Sequence, residues 1–408
     1  MTIQTSTLSS GLRIVTNTVK SVESVALGVW VDVGTRNEDL AHNGVAHMVE
    51  HMMFNGTPTR SSQDIAAEIE RVGGQMNAYT SREVTAYYIH LLKEDTPLAM
   101  DVLSDMILRP TFPDHEIEKE RGVILQEIGM TLDTPDDYVF DMYQKTAYPD
   151  QALGAQILGT ADIIQSMPKD TLFGYVERFY NAENIVVSAS GNIEHDDMIE
   201  LAEKYFADIR RGEKSVYNKA AYKGGSISEE KDLEQSHVVT GFQGVDKNDS
   251  DYYKAILLST ILGGGMASRL FQEVREKRGL AYSIYSSHTA YHDDGQFEIY
   301  AGTSPDKTDE LTSVVNGELD KIKSDLVSEE ELLRAKAQLK AGILMGQESM
   351  LSRTNRQAKY LLNFGKAVDI QDIISKIDVI TAQDIQSTAG RIFSGQETFA
   401  ILGPKAAA

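Results

Sequence analysis

The spacing of apolar positions changes along the chain, and each change marks an element. Val25-Ala26-Leu27-Gly28-Val29-Trp30-Val31-Asp32-Val33 alternates with period two, which predicts a strand with one strongly apolar face. After turn residues between Gly34 and Gly44, the run Val45-Ala46-His47-Met48-Val49-Glu50-His51-Met52-Met53-Phe54 is apolar on most sides and long enough for a buried helix. Ser61-Ser62-Gln63-Asp64 reads as a helix start and Gly73-Gly74 as its stop. Residues 75–92 read as one or two strands, and Thr96-Pro97 opens a helix that Pro110 ends. An amphipathic helix follows over residues 114–130, with Ile117, Ile124, Leu125 and Ile128 on its apolar stripe. A further helix is predicted over residues 136–145.

The second half repeats this plan loosely. Strands are predicted at 236–242 and 296–302, a helix at 252–262 where the first half has its histidine pair, and helices dominate from Lys307 onward. Asn184-Ile185-Val186-Val187-Ser188-Ala189-Ser190-Gly191 and Thr398-Phe399-Ala400-Ile401-Leu402-Gly403 close the two halves with similar apolar strands ending in glycine. The stretch between Arg210 and Lys231 is rich in Lys, Gly, Ser and Glu and lacks large aliphatics, as a linker does. The expected fold is α+β: two similar halves related by duplication, each a mostly antiparallel sheet covered by helices. The expected boundaries are a metal-binding half at 1–212, a linker at 213–228 and a second half at 229–408 that closes over substrate.

Composition narrows the chemistry. The 408 residues exceed one ordinary core and suit two domains of about 200 residues. Hydrophobic residues make up 41%, a globular value, and no run approaches the roughly 18 apolar residues of a membrane helix. The opening Met1-Thr2-Ile3-Gln4-Thr5-Ser6 has no basic n-region or apolar core, so no secretory signal is expected there. The closing Ala406-Ala407-Ala408 is set aside. With no cysteine, disulfides and thiolate metal sites are excluded, and any transition-metal site must use His, Asp and Glu. The 39 basic and 61 acidic side chains give a net charge of −22, which repels nucleic acid and anionic membranes and permits cationic peptides. Solubility alone is also reason enough for such a surface.

The candidate chemistry lies on the first buried helix. Residues four apart share a helix face, so His47 and His51 can direct imidazole nitrogens at one cation, with Glu50 on the neighbouring edge beside a water on that ion. Catalytic zinc takes three protein ligands and keeps a place for water, whose proton a nearby carboxylate can take. Histidine pairs of this spacing also occur in solvated helices. Here Val45, Ala46, Met48, Val49, Met52, Met53 and Phe54 surround the polar trio, so the trio would be buried and would need partners.

His-x-x-Glu-His is the inverzincin order. The chain resembles the pitrilysin and insulysin superfamily, and within it most closely the mitochondrial processing peptidase beta subunits and their bacterial relatives. The motif continues as Met52-Met53-Phe54-Asn55-Gly56-Thr57, and Glu120-Arg121-Gly122-Val123-Ile124-Leu125-Gln126-Glu127 is similar to the segment that carries the family's third ligand. The resemblance spans essentially the whole chain. It implies one Zn2+ per chain held by His47, His51 and Glu127, with Glu50 as general base and Glu120 supporting a ligand. Residues 120 and 127, seven apart, fall on nearly one helix face.

The resemblance also implies a substrate-binding edge strand at Asn77-Ala78-Tyr79-Thr80-Ser81-Arg82-Glu83, used by β-augmentation, with Asn77 and Ala78 on it. Arg275 and Tyr282, in Arg275-Glu276-Lys277-Arg278-Gly279-Leu280-Ala281-Tyr282, match a pair that stabilises the oxyanion. Asp137 and Asp141 match carboxylates that accept an arginine two residues before the cut, and Phe54 an aromatic lining the pocket after it. Read without the resemblance, these are an ordinary strand, a solvated helix end and a solvated acidic face. The expected function is a zinc endopeptidase of extended or unfolded peptides, a homodimer or a heterodimer with a related subunit, in the bacterial cytoplasm, or alternatively the mitochondrial matrix. The rival readings are a non-catalytic core-type or partner subunit of the same fold, and a metal-binding structural protein without turnover.

Overall fold

The alternating run around Trp30 is an interior strand of the first of two sheets in the computed structural model, which describes residues 2–404. Ala406-Ala407-Ala408 lies outside the described residues. In chain order the first part contains β1 (Thr2–Thr7), β2 (Arg13–Thr18), β3 (Ser24–Val31), α1 (Val45–Met52), α2 (Ser62–Arg71), β4 (Gln75–Thr80), β5 (Thr85–Leu92), α3 (Thr96–Leu108), α4 (Asp114–Asp133), α5 (Pro135–Ala147), α6 (Ala161–Ser166), α7 (Lys169–Phe179), β6 (Ile185–Gly191) and α8 (His195–Tyr205). The second contains β7 (Gly225–Glu230), β8 (Ser236–Gln243), α9 (Tyr252–Gly263), β9 (Ala281–Ala290), β10 (Gly295–Thr303), α10 (Thr308–Ser324), α11 (Glu329–Met345), α12 (Met350–Phe364), α13 (Ile370–Asp378), α14 (Ala382–Phe393) and β11 (Glu397–Gly403). Among the described residues no helix is long and apolar enough to cross a membrane.

The two sheets share one topology. The first runs β1-β2-β6-β3-β5-β4 and the second β7-β11-β8-β10-β9. With β1 set aside, both place their strands in the chain order first, fifth, second, fourth, third. Directions match as well: β2 and β6 pair parallel, as do β7 and β11, and the remaining neighbours of each sheet pair antiparallel. The chain thus carries two similar α+β halves, as the duplicated pattern predicts.

The contiguous halves expected at 1–212 and 229–408 are not the compact units. One unit comprises residues 2–129, 155–218 and 345–369, and the other 130–154, 219–344 and 370–404. The halves have exchanged a helix. In each half the third helix after the fourth shared strand leaves its own sheet: α5 packs Val139, Met142 and Tyr143 on Val239 and Ala400 of the second sheet, and α12 packs Ala358, Leu361 and Leu362 on Trp30 and Val186 of the first. One of the chain's crossings between the units falls between Asn218 and Lys219, inside the expected 213–228 linker, whose last residues already belong to β7.

The exchange explains why both faces of β3 are apolar. Val25, Leu27, Val29 and Val31 enter the main core of the first unit with α1 and α3. Trp30 points the other way, under α12, and its Nε1 donates to Asn355 Oδ1 at 3.0 Å. Full burial of one such side chain contributes about 1.5–3 kcal/mol.

Candidate metal centre

A short helix after a long loop needs a fixed start. α1 begins at Gly44, whose φ of +94° and crowded Cβ position, 2.7 Å from Leu158 O and 2.9 Å from Gly159 Cα, admit only glycine. Glycine offers no capping side chain, and Glu38 supplies the acceptor instead. Its Oε2 accepts from Gly44 N and from Asn43 Nδ2, each at 2.8 Å, and its Oε1 from Ala46 N at 2.8 Å. Val45, Ala46, Met48, Val49 and Met52 are buried, which leaves His47, Glu50 and His51 on the one side of α1 with partial access.

That side meets α4. His51 Nε2 lies 3.6 Å from Glu127 Oε2, and His47 Nε2 lies 3.8 Å from the same oxygen. One ligand atom from each of His47, His51 and Glu127 falls within 4.8 Å of the others. Glu120, two turns earlier on α4, places Oε2 at 3.1 Å from His51 Nδ1. A carboxylate only accepts, so Nδ1 carries a proton toward Glu120, and Nε2 is the nitrogen turned to Glu127. Burial first, and the neighbouring His51 second, push His47 down to about 4, so its imidazole is neutral at neutral pH.

The donor set fits zinc. Glu127 Oε2 is buried without a hydrogen-bond donor although it faces two imidazole nitrogens. Electron-rich atoms so grouped repel one another unless a cation lies among them. The separations of 3.6 and 3.8 Å approach the roughly 3.5 Å between two ligands of one tetrahedral zinc. Two nitrogens and a carboxylate oxygen, with no sulfur, are a donor set of catalytic rather than closed structural zinc sites.

Glu50 points to the sheet. Its Oε2 accepts from Thr80 Oγ1 at 2.9 Å, and burial raises its carboxyl above the ordinary range while these hydrogen bonds oppose the shift. Thr80 ends β4, the edge strand of the first sheet, which also carries Asn77 and Ala78. Asn77 Oδ1 accepts from Ala78 N at 2.8 Å. Phe54, just past α1, packs its ring 6.2 Å from that of Tyr87. One unit therefore brings together His47, Glu50, His51, Phe54, Asn77, Ala78, Glu120 and Glu127.

The other predicted residues lie in the second unit. Asp137 and Asp141 sit on α5, where Asp136 and Asp137 help raise the phenol of Tyr285, after burial and Glu298. Arg275 and Tyr282 touch each other: the guanidinium lies 4.5 Å from the Tyr282 ring centre and donates to Tyr282 O at 2.9 Å. Tyr282 itself is 74% exposed. Motif reasoning missed the contacts of Thr80 and Glu38. An acid a few residues before a glycine-led helix is the only signal that points to Glu38.

Comparison with known proteins agrees with this architecture. Residues 13–161 match the family model described as Insulinase (Peptidase family M16), and residues 166–339 match one described as Peptidase M16 inactive domain. The chain is 41% identical over 400 residues to an uncharacterized zinc protease of Rickettsia felis, covering 98% of this chain and 97% of the relative. It is 37% identical over 399 residues to an uncharacterized zinc protease of Bacillus subtilis, with the same 98% and 97% coverage. A protease from Helicobacter pylori has the same fold, with a TM-score of 0.92 at 24% identity over 99% of this chain and 100% of that one. A structure from Pseudomonas fluorescens described as a peptidase M16 inactive domain gives 0.93 at 20% identity over 100% and 99%. With relatives this similar along nearly its whole length, the chain belongs to peptidase family M16, the insulinase or pitrilysin group, whose metal is zinc.

Proposed function

We propose that this zinc peptidase is an endopeptidase for extended or unfolded peptides, with zinc held by Nε2 of His47 and of His51 and by Glu127. One observation carries the reading: the α1–α4 cluster of two imidazoles and a carboxylate stands beside a second carboxylate, Glu50, that is hydrogen-bonded to an edge strand. When bound, zinc supplies a Lewis acid that polarises a carbonyl and brings water toward a pKa of about 7. Glu50 takes the proton of the attacking water and gives it to the leaving amine. Glu120 fixes the tautomer and ring orientation of His51. Thr80 fixes the Glu50 carboxylate.

Substrate adds to β4 as a further strand, since β4 is the edge of the first sheet, and the peptide replaces the Asn77 side chain as partner of Ala78 N. Phe54 lines the pocket for the residue after the cut. The acidic face of α5 with Asp137 and Asp141, and the net charge of −22, support a preference for peptides with arginine two residues before the cut. The bacterial relatives support a bacterial cytoplasmic setting, and the chain pairs with itself or a related subunit. The rival reading, a non-catalytic partner, is disfavoured by the presence of all four of His47, Glu50, His51 and Glu127. Zinc analysis joined to a peptide-library assay tests the proposal. Expected are one zinc per chain, cleavage abolished by a chelator, and arginine enrichment that Asp137→Ala/Asp141→Ala removes. A zinc-loaded chain that cuts nothing, alone or with a related subunit, would overturn it.

A further inference from the structure

We propose that Glu38 is a positioning residue for the zinc site: its buried carboxylate fixes the start of α1 and thereby the spacing of His47 and His51 against Glu127. The inference rests on the zinc reading above. α1 has eight residues, and His47 lies in its first turn, only three residues beyond Gly44. The first turn of a helix has backbone N–H groups without partners inside the helix, and it is the part most prone to fray. A ligand there is held no better than that turn.

Glu38 converts the weak turn into a rigid one. The residue is 8% exposed, and both carboxylate oxygens are used, on Gly44 N, Ala46 N and the Asn43 amide. Asn43 in turn donates to Gln156 O at 2.9 Å, so the cap is tied to a second stretch of chain. Gly159 closes the same seam, because a Cβ on it would lie 2.4 Å from Asn43 O. Burial pushes the Glu38 carboxyl up to about 8, while its three hydrogen-bond donors and the helix dipole favour the anion. Gly44 itself makes no side-chain cap for α1, having no side chain to do so. The carboxylate matters more than its shape. Glutamine at this position keeps the volume but turns an amide donor toward a donor in either orientation.

The experiment measures the zinc dissociation constant of the folded chain by chelator competition, below its unfolding temperature. Glu38→Gln is expected to weaken zinc about 10–100-fold, the usual cost of losing a group that supports a metal ligand. Val15→Ala, a buried cavity in β2 away from α1, lowers the unfolding temperature but leaves zinc affinity at the parent value. A folded Glu38→Gln chain with the parent's affinity overturns the proposal, as does Val15→Ala weakening zinc equally. Should Glu38→Gln fail to fold, Asn43→Ala decides, since it removes one donor: a loss of about fivefold supports the role, and unchanged affinity overturns it. Parent-like zinc binding by His51→Ala would instead overturn the zinc assignment itself, a separate failure.

Discussion

α1 and α9 occupy the same station in the two halves, each after the second shared strand and packed beside the third. The first carries His47, Glu50 and His51, whereas the second, Tyr252–Gly263, has Lys254 as its single charged residue and no histidine. The seam to the neighbouring strand shows the difference most clearly. In the second half Ser259 Oγ donates to Ser286 O at 3.0 Å and Ser286 Oγ to Ser259 O at 2.9 Å, a reciprocal lock between α9 and β9. In the first half the hydroxyl of Thr80 goes to a carboxylate. The same scaffold closes one seam with neutral groups that satisfy each other. It closes the other with groups whose charge and lone pairs remain turned toward a ligand. The match of residues 166–339, which include α9 and β9, to a domain described as inactive agrees with this division.

The largest test of the contrast is Glu50→Gln. Turnover should fall by about 10²–10⁴-fold while elemental analysis still finds the parent's zinc, and Ser259→Ala on α9 should leave turnover unchanged. Near-normal turnover in Glu50→Gln would end the assigned role. Zinc removal comes next. Chelation should speed amide exchange in α1 and around Glu120–Glu127 of α4 but leave α9 and β9 alone, because metal stabilises only the state that holds it. Equal loosening of both halves would show that the ion does not sit on α1.

Smaller effects sharpen the seam itself. Thr80→Val should lower kcat about tenfold at unchanged KM, with Thr80→Ser restoring it, whereas Ser286→Ala should cost only about 1 kcal/mol of stability. A change in KM alone would move Thr80 from orienting the base to binding substrate. Acid should distinguish the halves least. Burial opposes ionisation of Asp105, but Thr57, Thr59, Arg109 and Arg60 outweigh it and hold the carboxyl down to about 2. In the second half the hydrogen bond from Arg269 holds Glu331 down to about 2. Both lie below their unfolded values of about 4, so their contribution is complete above that pH and is lost as pH falls from about 4 to 2. Asp105→Asn and Glu331→Gln should each reduce the drop in urea midpoint between pH 5 and pH 2.5.

Periodicity made much of this legible. The alternating run became β3, the histidine-bearing run α1, and Ser61 caps α2 with Asp64 at the predicted start. His47 and His51 could be read from helix geometry, and Glu127 from resemblance supported by its spacing from Glu120. The exchanged helices could not, because an apolar stripe on α5 or α12 reports that a helix is covered and not which sheet covers it. β1 and β7 were missed for a related reason. TIQTST and GSISEE are polar edge strands with mostly exposed side chains, so they carry no apolar alternation, and β7 read as linker. Thr80 acts on a partner 30 residues away, which no local pattern encodes, and Glu38 on partners five to eight residues away, marked only by an acid ahead of a glycine-led helix.

The helix exchange bears on how the molecule is made. The sheet that supports the histidines waits for residues 345–369 to cover Trp30 and Tyr88, and that stretch leaves the ribosome only after every strand of the first sheet and all but one strand of the second. Until then the nascent chain shows an unshielded apolar surface, the kind that chaperones bind. A gene cut at the 218–219 junction would yield two pieces that each carry the other's lid and lack their own, so they should be recovered together by coexpression and aggregate apart.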